Sequence, residues 1–178
     1  MRTETIPDGH RWWRITRPDW KNPLDPEFAR EHGGRWNPPG SFPALYLNED
    51  QVTARINVRL FITGWPYEAE DLRDDTGPCL VAALLPRRQR VADVHTPEGV
   101  RAVGLPPGYP LDDVGRLVAH PPCQQIGVDV AGRGLRGVRC RSAQAPRGAG
   151  RELAWFPATA RSRARQAETL PFADWFWS

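Results

Sequence analysis

The sequence has few cysteines, almost no lysine and no long hydrophobic run, and each shortage excludes a class of protein. Cys79, Cys123 and Cys140 are the three cysteines among 178 residues, and no CxxC or CxxxxH spacing surrounds them. Neither a zinc cluster nor a disulfide framework is therefore predicted. No stretch approaches the roughly 20 apolar residues of a membrane span, and the start, MRTETIPDGH, lacks an apolar signal core. We expect a cytoplasmic protein without membrane contact.

The composition is that of one globular domain, with 40% apolar and 25% charged residues. A chain of this length buries enough surface to fold without a disulfide or metal staple, so a single domain over residues 1–178 is predicted. The net charge of +3 hides an asymmetry, because residues 131–165 contain nine arginines against Glu152. Such a block attracts the phosphates of nucleic acid or of a dinucleotide, or an acidic protein. It contains no known nucleic-acid-binding motif, so direct nucleic-acid binding is not expected.

Short β-favouring runs bounded by proline, glycine or asparagine predict strands rather than a regular alternation of strand and helix. The predicted strands cover residues 11–16, 43–47, 79–85, 137–142 and 152–156, with an extension of the sheet at 91–94. Short helices are predicted after Thr96 and over residues 121–131. The sum is an α+β fold dominated by strands.

A longer helix is predicted over about residues 49–63, with Asn48 as its N-cap. Val52, Ile56 and Leu60 repeat at a spacing of four and predict a buried stripe. Asn57 lies about 100° to one side of Ile56, so its side chain can reach a cleft beside the core.

The segment from Gly33 to Leu47, GGRWNPPGSFPALYL, contains the strongest functional pattern. Gly33 and Gly34 allow a ligand to approach the backbone, and Arg35 offers a rigid fork of donors for phosphate. Trp36 and Tyr46 supply aromatic rings. The alternative is a structural loop whose arginine is solvated and whose aromatic rings fill the core.

Together with the later segments GVRCRSA and ELAWFP, this segment resembles the RES domain family, which is named for an arginine, a glutamate and a serine. The resemblance extends from Arg11 to Pro157. It implies a compact single domain with a central, mostly antiparallel split sheet, similar to ADP-ribosyltransferase toxins. It also implies the toxin of a bacterial toxin–antitoxin pair, which degrades NAD by hydrolysis or phosphorolysis.

The resemblance places four family residues on this sequence. The arginine falls on Arg35, the tyrosine on Tyr46 and the serine on Ser142, while the glutamate, eleven residues beyond the tyrosine, falls on Asn57. In the implied site Arg35 binds the pyrophosphate, Tyr46 stacks on the nicotinamide or ribose, and Ser142 hydrogen-bonds one of them.

Three further residues complete the predicted NAD-binding set: Arg14 from the first strand, beside Arg35, and Gly34 and Trp36 from the glycine-rich loop. NAD is expected as the substrate or ligand, without a separate cofactor. His32, His95 and His120 have no second ligand at helical spacing, so no metal site is predicted. The implied partner is a cognate antitoxin with a DNA-binding domain, and the oligomeric state stays open, a homodimer included.

Asn57 is the main departure from the family pattern. Cleavage of the nicotinamide–ribose bond develops positive charge on the ribose, which a carboxylate stabilises and an amide does not. Three explanations stay open: slow catalysis, substitution by Glu49 or Asp50, or NAD binding without turnover as a non-catalytic or protein-interaction module. If position 57 lacks the needed carboxylate, replacing Asn57 by glutamate is expected to raise turnover.

Overall fold

A single curved sheet organises the chain in the computed structural model, which describes residues 1–66, 68–145 and 148–178, without the side chains of Leu60 and Phe61. The strands are β1 Thr3–Thr5, β2 Arg11–Thr16, β3 Leu45–Asn48, β4 Cys79–Leu84, β5 Arg90–Val94, β6 Gly137–Arg141, β7 Arg151–Trp155 and β8 Arg165–Leu170. The helices are α1 Glu27–His32, α2 Gln51–Ile62, α3 Pro97–Ala102, α4 His120–Gly132 and α5 Phe172–Phe176.

The strand order is β1-β5-β6-β7-β3-β2-β4-β8. Between described strands, β5 and β6 run parallel and the other six pairings are antiparallel. The sheet is nearly divided between β3 and β2, which are joined at the pair Trp13 and Asn48. The predicted α+β class with a mostly antiparallel, split sheet is confirmed.

One face of the sheet is covered by a continuous apolar cluster, and we name it the closed face. Trp12, Leu47, Leu153 and Trp155 are among the buried side chains of this cluster. Alternate residues of a strand point to opposite faces, so the neighbours of these residues lie on the other side.

The other face, which we name the seam face, carries two apolar clusters with polar side chains between them. The first cluster includes Val138 and Cys140 under α4, and the second includes Trp13 under α2 and α5. Asn48, Asn57, Ser142 and Glu152 lie between the clusters, and we call these four residues the polar seam. The seam therefore runs along the division between the two parts of the sheet.

Most predicted elements are present with bounds close to those expected. β2 has the predicted bounds, and α3 begins after Thr96, whose side chain accepts a hydrogen bond from Gly99 N. The predicted N-cap of α2 is wrong: Asp50 caps the helix by accepting from Thr53 N. Asn48 is instead buried and donates to Trp13 O at 3.1 Å, because the division of the sheet needs a polar link.

Both ends of the chain add elements that the sequence pattern did not predict, namely β1, α1 and β8. β1 and β8 form the two edges of the sheet, where strands are short and polar. The aromatic end of the chain forms α5, which buries Phe172 and Trp175 against the second apolar cluster. Within the described ranges, no helix has the length and apolar character that crossing a bilayer requires.

Candidate functional site

Tyr46 fixes the loop that precedes it. Its hydroxyl accepts a hydrogen bond from Trp36 N at 2.9 Å and donates one to Asn37 Oδ1 at 2.7 Å. A Cβ atom on Gly34 would overlap the Tyr46 phenol, so glycine is needed at that position. Burial raises the pKa of Tyr46 above its ordinary range, so the hydroxyl keeps its proton at neutral pH. The hydroxyl is thus committed to the loop.

Arg35 projects from this loop as a half-buried cation. Its guanidinium donates to Val118 O at 2.8 Å and lies 4.0 Å from Cys123 Sγ. Among the residues that the structure describes, no carboxylate pairs with it. A guanidinium that is partly desolvated and not neutralised is suited to bind phosphate oxygens.

Asn57 connects the members of the polar seam. Its amide nitrogen donates to Asn48 Oδ1 at 2.7 Å and to Glu152 Oε1 at 2.9 Å. Its amide oxygen accepts from Ser142 Oγ at 3.2 Å. The structure therefore brings together Asn57 and Ser142, two of the predicted site residues, and adds a carboxylate that the sequence reasoning had not selected.

Ser142 is a buried hydroxyl at the end of β6. Besides donating to Asn57, it accepts hydrogen bonds from Gln144 N and Ala145 N, both at 3.2 Å. These contacts orient the hydroxyl toward the seam. No histidine accepts a hydrogen bond from it within the described part of the chain, which is consistent with a binding role rather than a nucleophilic one.

The charges of Arg35 and Glu152 have opposite effects on the pKa of one buried thiol, that of Cys140. Burial raises the pKa of the Cys140 thiol, the negative charge of Glu152 raises it further, and the positive charge of Arg35 lowers it. Cys140 is the register partner of Glu152 on β6. The glycine-rich loop and the polar seam therefore border one region of the seam face.

Glu49 and Asp50, which were candidates for the missing carboxylate, are engaged elsewhere. Glu49 accepts from Arg139 Nε at 2.9 Å on the closed face. Asp50 caps α2. Of the three explanations left open by the sequence, substitution by Glu49 or Asp50 is not supported, because strand alternation turns Glu49 away from Asn48 and helix capping occupies Asp50.

Arg14 and Trp36 are placed where they give little support to their predicted ligand contacts. Trp36 is 1% exposed and packs with its ring 6.0 Å from the Tyr109 ring. Arg14 pairs in register with Val81 of the closed face and donates to Asp25 O at 3.0 Å. Burial lowers the pKa of Arg14 to about 10. Arg14 starts from the closed face, but its guanidinium lies over the Trp20 ring, 5.6 Å from the ring centre.

A cleft of about 810 Å³ opens beside α2, and Asn57 is part of its wall. The segment after β2 forms the opposite wall, where the Trp20 indole is 43% exposed. Arg35, Tyr46 and Ser142 do not line this cleft. Trp20 carried no motif in the sequence, and its position at the cleft follows from the fold.

Glu4, Asp93 and His95 form a cluster whose ligand atoms lie within 4.8 Å of one another. Arg139 pairs with Glu4 at 3.0 Å, and Arg2 pairs with Asp93 at 3.3 Å. These arginines neutralise the carboxylates, so the cluster is accounted for by ion pairing. The prediction that the protein has no metal site stays a prediction.

Comparison with known proteins identifies the family. The sequence model described as the RES domain matches residues 11–174. The chain belongs to the RES domain family. This membership covers the glycine-rich loop, α2 and the polar seam, so the resemblance inferred from the sequence is confirmed.

Curated relatives match over part of the chain. A segment of 85 residues is 32% identical to NAD(+) phosphorylase MbcT of Mycobacterium bovis, and the same values hold for MbcT of Mycobacterium tuberculosis. The segment is 48% of this chain and 45% of each relative, so the match spans less than half of their length.

A solved structure aligns with nearly the whole chain. The crystal structure of the Mycobacterium tuberculosis MbcT–MbcA toxin–antitoxin complex aligns with a TM-score of 0.74, covering 98% of this chain and 92% of that chain. The sequence identity in this alignment is 23%, so the likeness establishes the fold.

Proposed function

We propose that this RES domain protein degrades NAD by cleaving the bond between nicotinamide and ribose, with phosphate or water as the acceptor. Its family membership and its relatedness to NAD(+) phosphorylase MbcT support the reaction type. The observation that carries the proposal is the contact at 3.2 Å between Ser142 and Asn57 beside a cleft of about 810 Å³. Two of the predicted site residues, separated by 85 positions, meet there.

The proposed roles follow from the chemistry of each group. Arg35 binds the pyrophosphate, because it is a half-buried cation without a paired carboxylate in the described chain. Asn57 Oδ1, which keeps a lone pair besides the hydrogen bond from Ser142, accepts from a ribose hydroxyl or from the nicotinamide amide, and Ser142 holds Asn57 in this orientation. Tyr46 holds Gly34 and Trp36 in place through its hydroxyl and presents its ring to the ligand.

The reaction breaks the C–N bond between the ribose carbon and the pyridinium nitrogen. Both bonding electrons go to the nitrogen, so nicotinamide leaves as a neutral molecule and positive charge develops on the ribose. An oxygen of phosphate, or of water with loss of a proton, then bonds to the same carbon. The protein binds the dinucleotide, stabilises this charge and needs no additional cofactor.

Purified protein incubated with NAD, with and without inorganic phosphate, tests the proposal. We expect release of nicotinamide, measured by chromatography, and a phosphorylated ADP-ribose product only when phosphate is the acceptor. Arg35→Gln is expected to raise KM for NAD about 10- to 100-fold, because a charge-assisted contact is lost. Arg161→Gln, at an exposed arginine, is the matched control. No nicotinamide release at high enzyme concentration would overturn the proposal.

A second function is NAD binding without turnover, and it is favoured by the amide of Asn57 at the family glutamate position. Calorimetry that shows NAD binding, together with chromatography that shows intact NAD, would support this alternative. Loss of binding in Arg35→Gln would locate the ligand in the same site.

The proposed protein partner is a cognate antitoxin with a DNA-binding domain. The structural neighbour was solved as a toxin–antitoxin complex, which supports this class of partner. Direct nucleic-acid binding is less well supported, because the arginine block is partly used inside the fold: Arg139 pairs with Glu49, and Arg141 donates to Tyr109 O at 2.8 Å. Co-expression of the neighbouring gene, followed by co-purification, tests the partner.

A further inference from the structure

The polar seam contains a carboxylate in direct contact with the position where the family glutamate is expected. Glu152 Oε1 lies 2.9 Å from the amide nitrogen of Asn57. The reaction proposed above needs a negative group near the ribose, and position 57 supplies an amide. We propose that Glu152, on β7, supplies this carboxylate in place of position 57. The inference rests on the proposed function.

The hydrogen bonds of Asn57 are those expected if Glu152, rather than position 57, supplies the carboxylate. Its amide has two N–H groups, and they are donated to Asn48 Oδ1 and to Glu152 Oε1. A carboxylate at position 57 has no N–H to donate and would face two acceptors. Asparagine therefore holds the Glu152 carboxylate in place and leaves its own oxygen for Ser142. Asn57 acts here as a positioning residue for Glu152.

The charge of Glu152 is not neutralised by a neighbouring cation. Within the described ranges, no arginine, lysine or histidine pairs with it, whereas Glu4 and Glu49 both pair with Arg139. The side chain is half-buried, and its register neighbours are Asn48 and Cys140. A half-buried carboxylate without a counter-ion favours a positive charge that develops beside it.

The position of β7 makes the exchange geometrically simple. β7 pairs with β3, so Glu152 lies directly opposite Asn48, and α2, which packs on β2 and β3, places Asn57 within hydrogen-bond distance of both side chains. A carboxylate carried by β7 at position 152 and one carried by α2 at position 57 can thus lie at the same place in the site. The substrate contact moves from the helix to the strand without a change in the fold.

If Glu152 supplies the carboxylate, Asn57→Glu is no longer expected to raise turnover, as it was from the sequence alone. In the presence of Glu152, this substitution places two carboxylates about 3 Å apart, and like charges at that distance raise the pKa of one of them. The acid limb of the pH–rate profile should therefore move to higher pH, and turnover at neutral pH should not rise.

Four variants test the proposal by steady-state kinetics of nicotinamide release. Glu152→Gln keeps the shape of the side chain and its ability to accept from Asn57, and should lower kcat about 100- to 1000-fold with KM changed less than about threefold. The double variant Asn57→Glu/Glu152→Gln returns a carboxylate from the helix and should recover at least about 10-fold of that loss. Asn57→Glu alone should show the shifted acid limb. Glu98→Gln, at an exposed glutamate of α3, is the control and should match the wild type.

The outcomes separate the two proposals. Wild-type protein that releases no nicotinamide overturns the proposed function and this inference with it. Wild-type turnover with kcat unchanged in Glu152→Gln overturns the inference alone, and so does a failure of the double variant to recover activity. If Glu152→Gln does not fold by circular dichroism, Glu152→Asp, which withdraws the carboxylate by one methylene, replaces it and should still lower kcat at least about 10-fold.

Discussion

The two faces of the sheet differ in whether their carboxylates are paired with cations. On the closed face, carboxylates are neutralised: Glu4 and Glu49 pair with Arg139, and Asp93 pairs with Arg2. On the seam face, Glu152 receives a hydrogen bond from Asn57 and no cation from the described chain. The carboxylates named on the closed face are thus paired with arginines, whereas Glu152 carries a charge without a cation from the described chain, as its proposed role requires.

Asn48 and Glu49 show how small the structural difference between these two outcomes is. They are consecutive residues at the end of β3, and alternation along the strand sends them to opposite faces. Asn48 joins the polar seam, and Glu49 joins the ion pairs of Arg139. A shift of one residue in the register of β3 would exchange their surroundings and remove the site.

The largest expected effect on stability lies in the apolar cluster of the closed face. Trp155 is fully buried, and its indole donates to Ser162 O at 2.9 Å. Trp155→Ala should lower the free energy of unfolding by about 3–5 kcal/mol, because it leaves a cavity and an unpaired carbonyl. Urea denaturation followed by circular dichroism measures it, with Val114→Ala at an exposed position as the control. A loss below about 1 kcal/mol would contradict the fully buried position of Trp155 in this cluster.

The second-largest loss of stability is expected on replacing Asp93, a charged residue of the closed face. Burial of Asp93 opposes its ionisation, but hydrogen bonds from Thr96 and His95 hold the pKa of Asp93 below its ordinary value. This stabilisation is complete above the unfolded-state pKa of about 3.9 and is lost as the pH falls through the lower folded-state pKa. Asp93→Asn should lower the free energy of unfolding by about 2–3 kcal/mol at pH 7.

The pH dependence sharpens the Asp93 prediction. Below about pH 4, the wild type should lose stability more steeply than Asp93→Asn, since the amide does not titrate. Thermal unfolding midpoints of both proteins between pH 3 and pH 7 measure the difference. Parallel curves would show that Asp93 is not held ionised by these contacts.

A smaller loss is expected at the link between the two parts of the sheet. Asn48→Ala removes the donor to Trp13 O and the acceptor for Asn57, so about 1–2 kcal/mol should be lost. Because this substitution also removes one of the hydrogen bonds that hold the Asn57 side chain in place, the proposed NAD turnover should fall as well. Unfolding and nicotinamide release measured on the same preparation test both effects. Full stability together with full turnover would show that the seam does not depend on this link.

The smallest stability change should accompany the largest proposed change in activity. Glu152→Gln removes a charge that no cation of the described chain pairs, so the free energy of unfolding should change by no more than about 0.5 kcal/mol or should rise. Urea denaturation of the wild type and the variant measures it. A loss above about 2 kcal/mol would mean that Glu152 serves the fold, and the contrast between the two faces would disappear.

The secondary structure followed the sequence most closely where local signals were strong. β2 has β-favouring residues along its length, and α3 begins with a threonine cap followed by a proline, so both were predicted correctly. β1, β8 and α1 were missed, because short polar edge strands and a helix of six residues have little periodicity. Their formation depends on pairing and packing that only the assembled sheet supplies.

The candidate site was predicted in part. The glycine-rich segment together with the later segments GVRCRSA and ELAWFP indicated the family, which in turn pointed to Asn57 and Ser142, and the structure places these two residues in contact. Glu152 was passed over because it is one acidic residue in an arginine-rich stretch, with nothing in its immediate sequence to distinguish it. Glu49 and Asp50 were preferred because they are near Asn57 in sequence, yet both are turned away from it in the fold.

The sequence by itself determined the family and the loop that Tyr46 holds, because these depend on neighbouring residues and on fixed spacings along the chain. Only the tertiary structure decided which carboxylate accompanies Asn57. Strand register placed Glu152 opposite Asn48, and strand alternation turned Glu49 to the other face. Proximity in space between β3, β7 and α2 is set by pairing and packing across long separations in the chain, which no local pattern of residues encodes.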